Sequence, residues 1–508
     1  MFKKLLIANR GEIALRIVRA CQELGIATVA VYSEVDRHSL HVRYADEAYA
    51  IGPAPATESY LNIPKLMEVA RKARAEAVHP GYGFLAENPE LARACRQNGI
   101  TFVGPSPAVM ELMGDKVKAR QVMQKAGVPV VPGSEEVASG DEAEREATRI
   151  GFPILIKATA GGGGKGMRTV FRSEDLPTAL DGARREAASA FGHPGLYIEK
   201  FLEPVRHIEV QVIADEHGRV VALGERECSI QRRHQKMIEE APSTAVDQRL
   251  RQRLLELATT AARAVSYHSV GTVEFLLDQE GRINFIEMNT RLQVEHPVTE
   301  LVTGLDLVAD QILVAAGEKL PYCQEDVAIR SWAMECRISA EDPFNNFLPS
   351  VGRISFVSEP GGPGVRVDSA LYEGLEVSFY YDPLIAKLST WGRDRAEAIR
   401  RMRRALLEFK VVGVHTNIPF HLQVMENPHF VAGRLDTAFV EKHFVGQAAT
   451  GIPEETALLA AAVLAYRERQ RPQASPAPGH SPGNGWRIGG RRYVQARTAW
   501  EGGWRRSI

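Results

Sequence analysis

The sequence is poor in cysteine. Its 508 residues include five cysteines, and no two of them form a CxxC pair. Disulfide scaffolds and zinc knuckles both require close, repeated cysteine spacings, so neither is predicted. We expect the thiols to be reduced and mostly packing groups: Cys21, Cys95, Cys228, Cys323 and Cys336.

An excess of charge of one sign and a long apolar run are also missing. Lysine plus arginine number 62 and aspartate plus glutamate 63, so no overall field favours nucleic acid or an anionic membrane as the main partner. The apolar run near the start reaches charged residues too soon for a secretory signal, and no 18-residue apolar stretch follows it. These absences predict a soluble, cytoplasmic protein.

The length and the alternation of helix and strand signals predict several α/β and α+β domains. A strand at Lys4–Ala8, a helix at Glu12–Leu24 and a strand at Ala27–Tyr32 form a βαβ opening, which favours a parallel-sheet domain at residues 1–114. A nucleotide-handling domain is predicted at 115–330.

A third, α+β domain is predicted at residues 331–445, with strands at Ser331–Ile338, Gly352–Phe356 and Val365–Asp368 and an amphipathic helix at Asp394–Phe409. Residues 446–508 form a separate region. It comprises a predicted helix at 453–469, a Pro/Gly/Ser-rich linker and a Trp/Arg-rich tail.

A glycine-rich run follows the predicted strand Pro153–Ala158, where Gly161, Gly162, Gly163 and Gly164 precede Lys165 and Gly166. Its backbone N–H groups can close around phosphate oxygens. It matches neither GxxxxGK[ST] nor GxGxxG, and such a run alone is more often a flexible turn. The neighbouring Lys157 favours the phosphate interpretation.

A predicted hairpin brings two carboxylates together. With Glu280 and Gly281 as a two-residue turn, Glu274 lies opposite Glu287, and the period of two puts Asn289 on the face of Glu287. Opposed like charges destabilise a sheet unless cations lie between them, and oxygen ligands favour magnesium. The alternative is a pair of solvated glutamates on an exposed face.

The segment after this hairpin carries a second polar set. Arg291, Gln293 and Glu295 share one face if the segment is extended, and together they can bind a small oxyanion and remove its proton. A solvated polar loop fits the spacing equally well. The basic segment Gln231–Lys236 either adds positive charge for phosphate or carbonate or forms an exposed turn.

A series of motifs resembles those of the biotin carboxylases of the ATP-grasp superfamily, over residues 1–445. The motifs are Ile7–Ala14, His79–Asn88, the glycine run, Gln231–Lys236, Phe285–Pro297 and Glu335–Pro343. The resemblance implies an ATP-grasp fold with an N-terminal Rossmann-like parallel-sheet domain, a C-terminal biotin carboxylase domain and a mobile lid at about 131–205.

The resemblance also implies roles for individual side chains. Glu274, Glu287 and Asn289 would bind Mg²⁺ or Mn²⁺, two ions per site. Lys236, Arg291, Gln293 and Val294 would hold bicarbonate, Glu295 would deprotonate it, and Arg337 would stabilise the biotin enolate. The implied ATP contacts are Lys116, Lys157, Gly161–Gly166, Glu199, Lys200, Leu202, His207, Gln231, His234, Leu276 and Glu287.

The implied reaction is a two-stage carboxylation of biotin. Bicarbonate attacks the γ-phosphate of ATP to give carboxyphosphate, which breaks down to carbon dioxide and phosphate beside biotin. No Ala-Met-Lys-Met or Val-Met-Lys-Met biotinylation sequence occurs, so the expected partners are a biotin carboxyl carrier protein and a carboxyltransferase subunit, with a homodimer implied by the resemblance. Acetyl-CoA and fatty acid biosynthesis are favoured over propionyl-CoA or pyruvate.

Two alternatives stay open. Another ATP-grasp ligase, such as half of a carbamoyl-phosphate synthetase or a peptide-type ligase, would share the carboxylate hairpin and the glycine run. It would lack the arginine context at Glu335–Pro343. A non-catalytic regulatory subunit would have lost one or more of Lys236, Glu274, Glu287, Glu295 and Arg337, and all five are present.

Overall fold

The computed structural model describes residues 1–159 and 167–444, and its N-terminal part is built on a parallel sheet. The strands are β1 (Lys4–Ile7), β2 (Ala27–Ser33), β3 (Glu47–Gly52), β4 (Ala77–His79) and β5 (Thr101–Phe102). The helices are α1 (Gly11–Glu23), α2 (Leu40–Tyr44), α3 (Ile63–Ala73), α4 (Pro89–Gln97) and α5 (Pro107–Gly114). The order β3-β2-β1-β4-β5 confirms the predicted βαβ opening.

The central strand of this sheet explains its apolar sequence. Leu5, Leu6 and Ile7 are all fully buried, so both faces of β1 are covered. That is the pattern expected of a parallel strand with helices on each side of the sheet.

A second, smaller sheet follows along the chain. Its elements are α6 (Lys116–Lys125), β6 (Gly133–Glu136), α7 (Gly140–Ile150), β7 (Ile154–Ala158), β8 (Arg168–Val170), α8 (Leu176–Phe191) and β9 (Leu196–Lys200). The strands are antiparallel in the order β6-β9-β7-β8. The glycine run at 161–166 lies between β7 and β8, outside the described residues, so its predicted phosphate contacts stay predictions.

The third part of the chain supplies most of the largest sheet. Its elements are β10 (Val205–Ala214), β11 (Val220–Arg232), β12 (Gln235–Ala241), α9 (Gln248–Ala264), β13 (Ser269–Asp278), β14 (Ile283–Asn289), α10 (His296–Thr303) and α11 (Leu307–Ala315). One face of β10 is apolar and packs on α9, with Ile208 and Val210 against Leu254 and Leu257. The alternate residues of β10 are polar and lie on the opposite face.

The C-terminal part extends this same sheet. Its strands are β15 (Trp332–Ser339), β16 (Glu341–Asp342), β17 (Leu348–Pro349), β18 (Gly352–Arg353), β19 (Phe356–Ser358), β20 (Val365–Ser369), β21 (Glu376–Val377), β22 (Leu384–Gly392) and β23 (Lys410–Val412). Its helices are α12 (Arg395–Glu408), α13 (Ile418–Glu426), α14 (Pro428–Val431) and α15 (Phe439–His443). The eight-stranded antiparallel order is β14-β13-β10-β11-β12-β15-β22-β20. This eight-stranded sheet therefore continues past residue 330, the predicted boundary between the second and third domains.

The amphipathic helix predicted at Asp394–Phe409 is confirmed as α12. Asp394 caps it by accepting a hydrogen bond from the backbone N–H of Glu397 at 2.8 Å. The single strand predicted at Gly352–Phe356 is wrong, because β18 pairs with β21 whereas β19 pairs with β23, and the chain changes partner between them. The helix predicted at 453–469 lies outside the described residues.

Among the described residues, no helix combines the length and the apolarity needed to span a lipid bilayer. Four of the five cysteines are buried, as expected of packing groups: Cys21, Cys95, Cys228 and Cys336.

Candidate active site

The two carboxylates predicted to oppose each other do so. Glu274 in β13 pairs with Glu287 in β14, although the predicted two-residue turn is wrong. The backbone N–H of Asp278 donates to the carbonyl of Arg282 at 3.2 Å, which leaves three residues in the loop, with Gly281 at a φ of 78°. This one-residue shift is reversed at Ile286, where β14 has an extra residue in the ladder.

The extra residue in β14 has a cause on the outer edge of the sheet. Phe285 donates its backbone N–H to the carbonyl of Pro129 at 2.7 Å and forms an isolated parallel bridge with Val130. β14 therefore has hydrogen-bond partners on two sides at this point, and the bulge restores the Glu274–Glu287 register.

Each of these carboxylates is held by a different cation. Glu274 Oε1 accepts from Lys236 Nζ at 2.8 Å, and its Oε2 contacts His207 Nε2 at 2.8 Å. Glu287 Oε2 accepts from Lys116 Nζ at 2.8 Å. Burial raises the pKa of Glu274, but Lys236 and His207 outweigh it and hold that pKa well below its usual range. Glu274 is therefore a carboxylate at neutral pH.

Lys236 is the centre of the site. Its ammonium donates to Glu274, to Glu295 Oε1 at 2.7 Å and to Glu209. An ammonium has three N–H donors, so these three carboxylates use all of them. Only 12% of the Lys236 side chain is exposed, which makes each contact a partly desolvated ion pair.

Glu295 receives a second cation from the C-terminal part of the sheet. Arg337 in β15 donates from Nη2 to Glu295 Oε2 at 2.8 Å and from Nε to Glu239 Oε1 at 2.6 Å. Burial raises the pKa of Glu295, but Lys236 and Arg337 outweigh it and keep the pKa well below its usual range. The predicted base is thus ionised at neutral pH.

The segment that joins β14 to α10 is an irregular loop, so the extended geometry on which the shared face of Arg291, Gln293 and Glu295 depended is not found. Its polar side chains still converge on the site. Gln293 Nε2 donates to Glu274 Oε1 at 2.8 Å, and Arg291 donates to Asn289 Oδ1 at 3.1 Å. Asn289 in turn donates to Glu274 Oε1 at 2.8 Å.

The predicted nucleotide contacts lie partly beside this cluster. Lys157 in β7 forms a buried ion pair with Glu199 in β9. Lys200 instead donates to the backbone carbonyls of Gly151 at 2.9 Å and Phe152 at 3.0 Å, away from the carboxylates. The remaining predicted contacts occupy neighbouring strands and turns: Leu202 precedes β10, Leu276 pairs with His207, Gln231 pairs with Lys236, and His234 lies in the exposed β11–β12 turn.

Three family models together cover most of the chain. The biotin carboxylase N-terminal domain matches residues 1–110, the ATP-binding domain of the carbamoyl-phosphate synthase L chain matches 115–323, and the biotin carboxylase C-terminal domain matches 335–442. The chain belongs to the biotin carboxylase family. It is an ATP-dependent ligase, and the resemblance seen in its motifs is confirmed.

Whole-chain comparisons agree with this membership. This biotin carboxylase is 55% identical over 444 residues to a pyruvate carboxylase subunit of Methanothermobacter thermautotrophicus, covering 87% of this chain and 90% of the relative. It is 54% identical to biotin carboxylase 1 of Bacillus subtilis, covering 88% and 99%. The biotin carboxylase domain dimer of Hydrogenobacter thermophilus 2-oxoglutarate carboxylase, solved with MgADP, ADP and bicarbonate, superposes with a TM-score of 0.85 at 50% identity, covering 87% and 98%.

Sequence reasoning missed several side chains of this polar cluster. Arg226 is fully buried and donates to Glu209, to Gln211 Oε1 at 2.6 Å and to Gln293 Oε1 at 2.6 Å. Glu87 accepts from Arg291 Nε at 3.0 Å. A signal is present in β10, where His207, Glu209 and Gln211 alternate with apolar residues and mark a polar inner face.

Proposed function

We propose that this biotin carboxylase uses ATP and bicarbonate to carboxylate biotin on a separate carrier protein, with Lys236, Glu295 and Arg337 at its catalytic centre. The contact of one ammonium with Glu209, Glu274 and Glu295 carries the proposal. It couples the carboxylate hairpin to the predicted base in one desolvated cluster. Phosphoryl transfer depends mainly on such charge neutralisation and positioning.

The hairpin is the proposed metal site. Glu274, Glu287 and Asn289 offer two carboxylates and an amide, the hard oxygen donors that Mg²⁺ or Mn²⁺ prefers. Their fit to a cation is supported by the opposed carboxylates, whose ion pairs with Lys236 and Lys116 show that these oxygens accept positively charged partners. When bound, two ions at these residues would neutralise the phosphate oxygens of ATP. Lys116, Lys157 and the loop at 161–166 would hold those phosphates.

Bicarbonate is the proposed occupant of the space beside the joining loop. Arg291 would pair with its negative charge, since Glu87 and Asn289 fix the guanidinium from two sides. Gln293 is fixed by Arg226 and would add a hydrogen bond. Glu295 would take the bicarbonate proton as the oxygen attacks the γ-phosphate, giving carboxyphosphate and ADP. The relative solved with MgADP and bicarbonate supports this occupant.

Arg337 is the proposed partner of biotin. A guanidinium stabilises negative charge that develops on an oxygen, which here would be the ureido oxygen of biotin once a proton leaves N1′. Carboxyphosphate would break down to carbon dioxide and phosphate, and the phosphate would take that proton. N1′ then attacks carbon dioxide to give carboxybiotin.

We further propose three functional regions at 1–114, 115–330 with a lid at 131–205, and 331–445, acting as a homodimer. The dimer in the Hydrogenobacter relative supports that assembly.

Acetyl-CoA is the proposed final acceptor, within fatty acid biosynthesis. Pyruvate and 2-oxoglutarate, named in two relatives, are the competing outcomes when the native complex is purified and assayed with each acceptor.

The central test measures ADP and carboxybiotin together. The protein is incubated with MgATP, bicarbonate and a biotinylated carrier domain, and both products are followed by mass spectrometry. We expect ADP formation to require bicarbonate and to match carboxybiotin. ADP formation that is independent of bicarbonate would refute the proposed function.

A further inference from the structure

Lys387 lies beside Arg337 on the neighbouring strand. The two residues are direct partners in the β15–β22 ladder, so their side chains leave the same face of the sheet. Arg337 reaches the Glu295 carboxylate at 2.8 Å, and Lys387 Nζ donates to the backbone carbonyl of Val294 at 2.9 Å. Arg337 therefore holds the side chain of Glu295, and Lys387 holds the main chain of the preceding residue, Val294.

The Val294 carbonyl differs from its two neighbours in the loop, because a side chain holds it. The carbonyl of Gln293 accepts from the backbone N–H of His296, and the carbonyl of Glu295 accepts from that of Val298, as α10 begins. Between them, the Val294 carbonyl is held by Lys387, a side chain from a different strand. The orientation of the peptide that joins Val294 to Glu295 thus depends on this lysine.

The surroundings of Lys387 keep its charge in place. The residue is fully buried, and Glu12 of α1 lies 3.3 Å from Nζ, while the ring centroid of Tyr82 lies 5.6 Å from it. A buried ammonium is costly without a counter-charge. Glu12 is the carboxyl group within ion-pair distance of Lys387, and burial raises the pKa of Glu12 to about 7. Glu335 and Asp368 are further carboxylates facing it from β15 and β20.

We propose that Lys387 is a positioning residue for Glu295. It fixes the Val294–Glu295 peptide so that the Glu295 carboxylate lies between Lys236 and Arg337, in the place from which it would meet bicarbonate. This inference rests on the proposed role of Glu295 as the base. It concerns geometry at bicarbonate, so ATP binding is expected to be independent of it.

The first variant is Lys387→Met, which keeps the length of the side chain and removes its donor and charge. We expect the KM for bicarbonate to rise and kcat to fall, together lowering kcat/KM for bicarbonate by roughly tenfold or more, since small displacements of a reacting group are costly. The KM for ATP should stay within about twofold of the wild-type value, because the variant removes no contact proposed for the nucleotide.

A second variant separates positioning from the cost of a lone buried charge. Lys387→Met leaves Glu12 without its partner, whereas Glu12→Gln/Lys387→Met removes both charges and protects against failure to fold. If the Val294 contact matters, the double variant keeps the high KM for bicarbonate even where its thermal stability recovers. Glu12→Gln alone leaves Glu335 and Asp368 beside Lys387 and keeps the contact with Val294, so its KM should stay near that of the wild type.

Leu388→Ala is the matched control on the same strand. Leu388 is fully buried on the opposite face of β22, in the core with α12. Its truncation should lower thermal stability without raising the KM for bicarbonate. A wild-type KM for bicarbonate in the double variant would overturn the positioning role. Absence of bicarbonate-dependent ATP cleavage in the wild-type protein would instead overturn the proposed function.

Discussion

Glu274 and Glu287 face each other across two neighbouring strands, and each forms an ion pair with a lysine from a different part of the fold. Lys236 of β12 binds Glu274, and Lys116 of α6 binds Glu287. Opposed carboxylates destabilise a sheet unless cations compensate them. The lysines provide part of this compensation, and the proposed divalent metal would add to it or replace it.

The first prediction concerns this pair. Glu287→Gln and Glu274→Gln should each lower bicarbonate-dependent ATP turnover by roughly 100-fold at limiting magnesium, because each removes one hard oxygen charge from the proposed metal site. Raising the concentration of Mg²⁺ or Mn²⁺ should restore part of the loss. The measurement is ADP release across a magnesium titration.

Glu280→Gln is the control for these variants. Glu280 lies in the exposed turn of the same hairpin, where 69% of its side chain is accessible. ADP release by Glu280→Gln should depend on the magnesium concentration in the same way as that of the wild type. Wild-type turnover of both Glu274→Gln and Glu287→Gln at limiting magnesium would show that the metal assignment is wrong.

The second prediction concerns Arg226, the buried arginine behind the site. Arg226→Met should raise the KM for bicarbonate, because Gln293 and Glu209 each lose one of the groups that orient them. It should also destabilise the protein by about 3–5 kcal/mol, since Glu209 is left in the core with one of its cations removed. Bicarbonate kinetics and urea unfolding measure the two effects.

Arg251→Met provides the comparison for Arg226→Met. Like Arg226, Arg251 pairs with a glutamate, which here is Glu225 of β11. The side chain of Arg251, however, is 27% exposed. We expect a smaller loss of stability and an unchanged KM for bicarbonate. Equal kinetic effects in the two variants would mean that Arg226 has no specific link to the site.

The local patterns are sufficient to predict the elements whose signals lie close together in the sequence. Apolar spacing and the caps that end a helix predict the βαβ opening and α12. The predicted Glu274–Glu287 register is also correct, although two opposite one-residue shifts cancel to produce it. The bulge depends on Phe285 pairing with Pro129, and no local pattern in β14 carries that distant contact.

Long-range ion pairs account for most of what the sequence patterns do not predict. Lys387 and Glu12 are 375 positions apart in numbering. Glu12 lies in the Ile7–Ala14 motif, but no motif or local pattern indicates Lys387 as its partner. Arg226 reaches Gln293 only because the fold places the loop before α10 next to strand β11. Polar alternation in β10 marks an inner polar face, but it does not name the partners.

The third prediction concerns acid stability. His421 is fully buried and its Nε2 contacts the carbonyl of Arg337 at 2.8 Å, while Nδ1 has no hydrogen-bond partner among the described residues. Burial lowers the pKa of His421 to about 4, against about 6.5 in an unfolded chain. Between these values the unfolded state binds more protons, so the free energy of unfolding decreases as the pH falls.

His421→Gln removes this titration while keeping an N–H donor for the Arg337 carbonyl. Between pH 7.5 and pH 5, the wild type should lose about 2 kcal/mol more than the variant, because each unit of pKa difference corresponds to about 1.4 kcal/mol. Urea unfolding at several pH values measures the difference in slope. Parallel stability curves for the two proteins would contradict the prediction.

The fourth prediction separates Glu295 from Arg337, which contact each other at 2.8 Å but have different proposed roles. Glu295→Gln removes the base before carboxyphosphate can form, so ATP cleavage and biotin carboxylation should fall together by about 100- to 10,000-fold. Arg337→Ala should spare more ATP cleavage than carboxylation, because the guanidinium acts where charge develops on biotin, after the phosphoryl transfer. Phosphate release would then exceed carboxybiotin. Measuring both products in both variants decides between the roles: equal losses of ATP cleavage and carboxylation in Arg337→Ala would refute the assignment of Arg337 to the second stage.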